Sequence, residues 1–301
     1  MSTTEPRPSP RTFVLWRELL SSSTPAVAWT LVGCPFNVIT VRLQTTSSAQ
    51  FSGALHCLRT TVAQEGVMAL WKGFIPSVLL SIPYSTCLFG TFAYFRPPRL
   101  PAAVLDDHTQ PAGTLPKHFA QVFGAGFTSG VILMLFQNPF DVWRTRLQAQ
   151  FGPYKSTAVK DGVLRTLWNQ PILATRGLPM TTVRQMPGNG FFFAAHEYLS
   201  MRAERVPNSA QHPNITRFCV GGLTGVVFNL VFFPFDVIKA RMMVTSPSQG
   251  GARDMARAVL LESGWRGFYR GLGVTLLRSF PVNALGFLTL HISRDMLDQI
   301  A

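Results

Sequence analysis

The sequence predicts an all-α membrane protein built from three copies of one helix pair, with six crossings in all. Three observations carry that prediction: a composition poor in charge and rich in apolar residues, an internal repeat, and two long apolar segments in every copy. The chain has 301 residues, a length that would suit about two soluble domains. Its charged fraction is only 14%, against roughly 25% in ordinary soluble domains. Hydrophobic residues make up 47% and mean hydropathy is +0.20. These values exclude a disordered chain, a collagen-like chain and a disulfide scaffold.

The charge balance is lopsided, with 27 Lys and Arg against 14 Asp and Glu, a net charge of +13. Nucleic acid, an anionic membrane and anionic solutes are the partners such a balance suggests. Nucleic acid is set aside, because the basic residues are scattered among apolar stretches without a long basic run. Four cysteines (Cys34, Cys57, Cys87 and Cys219) have no C-x-x-C spacing, and the six histidines are scattered, so no metal site or cofactor is expected. Residues 1–13 are polar and carry Pro6, Pro8 and Pro10, which reads as a tail without the apolar run of a secretory signal.

The repeat is anchored at three points. Pro35-Phe36-Asn37-Val38-Ile39-Thr40-Val41-Arg42 aligns with Pro139-Phe140-Asp141-Val142-Trp143-Arg144-Thr145-Arg146 and with Pro234-Phe235-Asp236-Val237-Ile238-Lys239-Ala240-Arg241, the prolines 104 and 95 residues apart. Trp71-Lys72-Gly73, Thr175-Arg176-Gly177 and Tyr269-Arg270-Gly271 keep spacings of 104 and 94, as do Pro83, Pro187 and Pro281. The expected organisation is a tail over 1–13, repeats over 14–100, 117–205 and 206–301, and a proline-rich linker over 101–116.

Apolar segments are expected over 14–43, 74–95, 117–148, 178–199, 214–243 and 272–293. About 20 apolar residues suffice to cross a bilayer as a helix, and an even number of crossings puts both termini on one side. Gly124, Ala125, Gly126 and Gly130, like Gly221, Gly222 and Gly225, are the small residues that allow close helix packing in lipid.

Pro35, Pro139 and Pro234 sit inside the odd-numbered segments, where each removes a backbone hydrogen bond and kinks the helix. Asp141 and Arg144 are three residues apart and share a helix face, as do Asp236 and Lys239. Charges at membrane depth are costly and normally face a cavity, paired.

The Pro-x-Asp/Glu-x-x-Lys/Arg-x-Lys/Arg motif, complete at Pro139 and Pro234 and partial at Pro35, and the downstream aromatic-basic-Gly triplet, complete at 71–73 and 269–271 and partial at 175–177, resemble the repeat of the mitochondrial carrier family over residues 14–295. The resemblance implies a six-helix barrel with threefold pseudo-symmetry and short matrix-side helices. It implies a monomer, placed in the mitochondrial inner membrane, or less commonly the peroxisomal membrane, that exchanges small-molecule solutes by alternating access (antiport). No catalytic constellation appears, so no enzyme is expected.

In the family's cyclic arrangement the motif charges form a matrix gate. Asp141–Lys239 is then the one full ion pair, because Asn37 and Thr40 replace the acid and base of the first repeat. Asn37–Arg144 and Thr40–Asp236 are left as hydrogen bonds to a charge. A cytoplasmic gate would draw on Glu197, Arg294 and Arg96, with Glu197–Arg294 as the expected pair. Cardiolipin, a membrane lipid, would bind at Lys72-Gly73, Arg176-Gly177 and Arg270-Gly271, where a helix N-terminus and a cation suit a phosphate. The acidic-Gly pair before the triplet is kept only as Glu65-Gly66, with Asn169-Gln170 and Ser263-Gly264 in the later copies.

Counting back three residues from Pro83, Pro187 and Pro281 gives Leu80, Arg184 and Arg278, which match the family's substrate contact points. Unpaired arginines at that depth point to an anionic or carboxylate-bearing solute, held in bidentate fashion. Arg184-Gln185 resembles the oxo-acid and carboxylate carriers. Arg278-Ser279-Phe280-Pro281-Val282-Asn283-Ala284 resembles the final helix of carnitine/acylcarnitine and ornithine-type carriers. Gln185 cannot neutralise an ammonium group, so a small carboxylate (an oxo-acid, a dicarboxylate or an amino-acid-like solute) is the leading expectation and a carnitine or basic amino-acid carrier the alternative. Thr30, Met134 and Asn229, each seven residues before the motif acid position, would line the cavity with Tyr84, Asn189 and Asn283. A reading of another class is a degenerate, non-transporting receptor or scaffold, suggested by Asn37, Thr40 and the sparse cytoplasmic gate.

Overall fold

The computed structural model describes residues 10–46, 50–98, 114–151, 175–205, 213–245, 250–279 and 282. The described residues are helical, without strands. α1 runs Pro10–Thr45, α2 Ala54–Glu65, α3 Phe74–Phe95, α4 Thr114–Ala149, α5 Leu178–Ala203, α6 Pro213–Val244 and α7 Ala252–Ser263. A 3-10 turn follows α2 at Val67–Trp71 and another follows α7 at Gly264–Tyr269. Residues 272–279 open a further helix. The expected segments 74–95 and 178–199 thus coincide with or lie inside α3 and α5, and 14–43, 117–148 and 214–243 lie inside α1, α4 and α6.

Burial runs opposite to a water-soluble helix bundle. Arg42, Ser129, Gln137, Asp141, Gln185 and Glu197 are buried, whereas Leu79, Phe127, Ile132, Leu223, Leu230 and Leu277 are exposed along the helices. An apolar exterior over a polar interior suits hydrocarbon outside and a hydrated path inside. Among the described residues, Cys219–Val244 is by itself long and apolar enough to span a bilayer, and Leu115–Met134 with Gln137–Ala149 passes as one bent span.

That bend, 66°, has a local cause. Pro139 lacks an N–H for the carbonyl four residues earlier and its ring crowds that carbonyl. The break falls between Met134 and Gln137, where the displaced carbonyl lies. Pro35 likewise leaves the Leu31 carbonyl without its helical donor, and the indole Nε1 of Trp71 donates to that oxygen at 3.0 Å. The aromatic of the first triplet thus repairs the proline defect in its own repeat.

α4 and α5 approach most closely through glycines. A Cβ on Gly130 would stand 2.4 Å from the Gln185 carbonyl oxygen, and one on Gly126 would stand 2.6 Å from that of Asn189. Both contacts are with backbone, which cannot swing aside. Among the described residues Gly124, Gly221, Gly222 and Gly225 meet no neighbour within 4 Å, whereas Gly126 and Gly130 meet backbone as the small-residue expectation requires. Gly130→Ala is expected to cost about 1–3 kcal/mol by overpacking. Gly124→Ala is expected to be neutral or slightly stabilising through helix propensity. Thermal unfolding of the two variants checks the difference.

Apolar packing fastens the pieces beside this crossing. Leu88, Phe92, Val122, Leu133 and Phe193 form a core between α3, α4 and α5, with the Phe92 and Phe193 rings stacked 3.6 Å apart. Ile39, Leu43, Phe51, Cys57 and Leu70 seat α2 against α1. Phe233, Val237, Val259 and Phe268 seat α7 against α6.

Candidate functional site

The odd helices meet at their C-terminal ends in a cyclic pattern. Arg42 Nε donates to the Gln148 carbonyl at 3.2 Å, Arg146 Nε to the Met243 carbonyl at 2.8 Å, and Arg241 Nε to the Gln44 carbonyl at 2.9 Å. Each second basic residue of the motif therefore caps the last turn of the next repeat's odd helix, where carbonyls lack intrahelical donors and cations are favoured. This is a threefold arrangement drawn by hydrogen bonds.

The triplet bases follow the same circuit. Lys72 Nζ donates to the Gln150 carbonyl at 3.1 Å, and Arg176 donates to the carbonyls of Met242 at 2.6 Å and Gly250 at 3.1 Å. Arg270 donates to the carbonyls of Thr46 at 2.8 Å and Phe51. These three side chains, expected to meet a lipid phosphate, turn inward to repeat junctions, because a bare carbonyl is the nearest acceptor. Gly73 and Gly177 hold the left-handed backbone that starts α3 and α5, and Gly271 has φ +96° before residue 272.

Acids reinforce two of the junctions. Glu65 accepts from Arg42 at 2.7 and 2.9 Å and from Lys72 at 2.5 Å. Burial pushes the Glu65 carboxyl up, but those hydrogen bonds and charges win and hold it below its ordinary value. In the third repeat Glu262 pairs with Arg241 at 2.9 Å. The sequence alignment placed Ser263 at that site. The acid lies one residue earlier, a shift visible in the sequence as Glu262 before Ser263. Asn169 and Gln170 lie outside the described residues.

Above this closed end lies a cavity of about 420 Å³. Its lining brings together most of the residues singled out in the sequence: Thr30, Asn37, Thr40, Leu80, Tyr84, Asp141, Arg144, Arg184, Asn229, Asp236, Lys239 and Arg278. Four cations there face two carboxylates.

Lys239 Nζ donates to Asp141 Oδ2 at 2.7 Å, the one full ion pair expected of the ring. The other two expected contacts are replaced. Arg144 meets Asp141 on its own helix at 3.0 Å rather than Asn37, since a carboxylate one turn away is a stronger partner than a neutral amide. Thr40 Oγ1 lies 3.5 Å from Thr275 Oγ1, and Asp236 pairs with Arg184. The expectation of an unpaired Arg184 is corrected by that contact. Arg184 also lies over the Phe228 ring, 5.3 Å from its centroid.

Gln185 corrects a second expectation. It is fully buried, is not among the cavity-lining residues, and donates through Nε2 to Gln137 Oε1. Gln137 Nε2 in turn donates to Asp141 Oδ2 at 2.9 Å. Met134 is capped by Thr182, whose hydroxyl lies 3.1 Å from the thioether, and does not line the cavity. Asn189 is buried and off the lining, while Asn283 lies outside the described residues.

Sequence reasoning missed Gln137, although its spacing four residues before Asp141 on one helix face was a usable signal. It also missed the pairing of Asn138 with Thr181 at 2.8 Å, which ties α4 to α5.

Arg278 behaves differently from Arg184. It lines the cavity and forms no ion pair or hydrogen bond among the described residues. Its Nη1 would stand 3.5 Å from a Cβ placed on Gly33 of α1, so the guanidinium lies across that helix. At the opposite end, Glu197 pairs with Arg96 at 2.9 Å and stands 3.8 Å from His118 Nε2. Arg294, expected there, lies outside the described residues.

The family model described as "Mitochondrial carrier protein" matches residues 11–97, 115–205 and 210–300. The chain belongs to the mitochondrial carrier family. This family member is 31% identical over 286 residues to a mitochondrial basic amino acids transporter of Bos taurus, covering 91% of this chain and 90% of that protein. It is 28% identical over 298 residues to a mitochondrial carnitine/acylcarnitine carrier protein of Rattus norvegicus, covering 95% of each. It is 29% identical over 289 residues to mitochondrial substrate carrier family protein L of Dictyostelium discoideum, covering 90% and 92%. The carrier is thus a transporter rather than an enzyme, and its threefold repeat and all-α fold are those of its family.

Proposed function

We propose that this carrier exchanges a small carboxylate-bearing metabolite across the mitochondrial inner membrane by alternating access. The observation that carries the reading is Arg278, a permanent cation on the cavity wall without a protein carboxylate to neutralise it among the described residues. A guanidinium so placed takes a carboxylate in two parallel hydrogen bonds. Thr30, Tyr84, Ser81 and Asn229 bring hydrogen-bonding side chains to the cavity lining, and Leu80 an apolar contact. Asp141–Lys239 at one end and Glu197–Arg96 at the other serve as the matrix and cytoplasmic gates. Cardiolipin binding at the helix starts after Gly73, Gly177 and Gly271 rests on the partial positive charge of a helix N-terminus. One chain carries all three helix pairs, which supports a monomer.

A second reading, a basic amino-acid or carnitine carrier, has its own support. Two of the relatives named above are a basic amino acids transporter and a carnitine/acylcarnitine carrier. Arg184 and Asp236 also stand side by side on the cavity wall. A solute bearing both a carboxylate and a cation would satisfy both when it parts them.

The test is uptake into proteoliposomes containing cardiolipin, with oxo-acids, dicarboxylates, amino acids and carnitine offered singly against matching internal loads. Arg278→Ala is expected to cut carboxylate uptake about 100-fold, the loss of charge-assisted bonds to one anionic group. Uptake of zwitterions alone would select the second reading. No exchange of any solute by folded protein would leave the scaffold reading.

A further inference from the structure

We infer that Arg184 is a gate residue, supplying to Asp236 the positive charge that the first repeat lacks at Thr40. The ring contact of Lys239 runs from the base of one repeat to the acid of the preceding one, Lys239 of the third repeat to Asp141 of the second. By the same circuit the base for Asp236 of the third repeat belongs at position 40 of the first. Thr40 carries no charge, and its hydroxyl faces Thr275. Lys239, one turn from Asp236, has its Nζ on Asp141 at 2.7 Å. The cation that meets Asp236 comes from α5: Arg184, through Nε. Both side chains are about four-fifths buried, at 20% and 21% exposure, so neither is left to water.

Gln185 holds Gln137, which holds Asp141. The dipeptide 184–185 on α5 therefore reaches both gate acids, one directly and one through a single side chain. Arg184 cannot give its full fork to a solute carboxylate while its guanidinium is paired with Asp236 and its Nη1 donates to Gln185 Oε1 at 3.3 Å. A solute that takes Arg184 releases Asp236 from the third helix pair's lock. Arg278, without an ion-pair partner among the described residues, is the group that holds the solute first, and Arg184 is the group whose capture opens the gate. The consequence for transport rests on the carrier reading above; the lock itself does not.

The test is the thermal unfolding midpoint of the full-length purified protein, which needs no transported solute. Arg184→Gln is expected to lower the midpoint by on the order of 5 °C. Adding Asp236→Asn is expected to restore much of that loss, because the orphaned carboxylate goes with its partner. Thr40→Lys in the Arg184→Gln background is expected to raise the midpoint, and to do nothing when Asp236 is also Asn. Uptake stays lost in Arg184→Gln with Thr40→Lys, since the lock is rebuilt without a displaceable arginine. Additive losses for Arg184→Gln and Asp236→Asn would overturn the inference whatever Thr40→Lys does. Coupled midpoints in a protein that exchanges no solute would uphold the lock and remove the transport reading instead.

Discussion

Glu65→Ala is expected to destabilise the carrier by about 3–5 kcal/mol, the cost of removing one partner from a buried ion pair. The Glu65 side chain is 2% exposed and that of Arg42 is 0% exposed. Arg42 is fixed on every side: by Thr61 at 2.8 Å, by the Gln148 and Gln150 carbonyls, and by the Phe151 ring at 4.6 Å. It cannot swing out to water when its carboxylate is removed. Lys72 loses the same partner, and the two cations are left to repel each other at the junction of the first and second repeats. The thermal midpoint should fall by about 10 °C.

The same carboxylate sets a pH dependence. Its folded-state value lies below the ordinary 4.5. The stabilisation is therefore fully present above 4.5 and is lost as pH falls through the lower folded-state value. Unfolding midpoints measured from about pH 7 to about pH 4 should drop less steeply at the acid end for Glu65→Gln than for the wild type. Equal acid slopes in the two proteins would remove Glu65 as the source.

The parts of the fold that follow from chain-local chemistry were legible in the sequence. A proline in an apolar segment bends a helix wherever the helix lies, and α4 breaks where Pro139 requires it. The start of α3 was legible because Gly73 supplies a left-handed residue before an apolar run. The ion pair of Asp141 with Lys239 was legible through the family's cyclic order, since both residues keep the motif. Arg184 was placed correctly at cavity depth, but its partner was not. An arginine reaches some 6–7 Å from its Cα, so a neighbouring helix offers several acceptors, and sequence spacing does not choose among them. Gln185 was misplaced for a simpler reason. Adjacent residues of an α-helix point about 100° apart, and here Arg184 turns to the cavity while Gln185 turns to Gln137 on α4. The inward turn of Lys72, Arg176 and Arg270 was hidden because the acceptors are main-chain carbonyls, which every sequence has and none advertises.

Asp141→Asn is expected to have the largest effect inside the cavity. The residue is 1% exposed, accepts hydrogen bonds from Lys239 at 2.7 Å and Gln137 at 2.9 Å, and pairs with Arg144 at 3.0 Å. An asparagine keeps the size and one acceptor oxygen but not the charge. Lys239 and Arg144 then face each other in a cavity that already holds Arg184 and Arg278, with Asp236 as the one carboxylate left in its lining. The closed arrangement should lose about 3–5 kcal/mol, read as a lower thermal midpoint and as faster loss of preloaded solute from proteoliposomes. Removing the orphaned cation separates this cause from mere damage to packing. Asp141→Asn combined with Lys239→Met should regain about 1–3 kcal/mol over Asp141→Asn alone, because the pair is coupled and the charge left behind is the main penalty. A double variant as unstable as the sum of its parts would mean that Asp141 holds the helices through Gln137 and Gln185 rather than through charge.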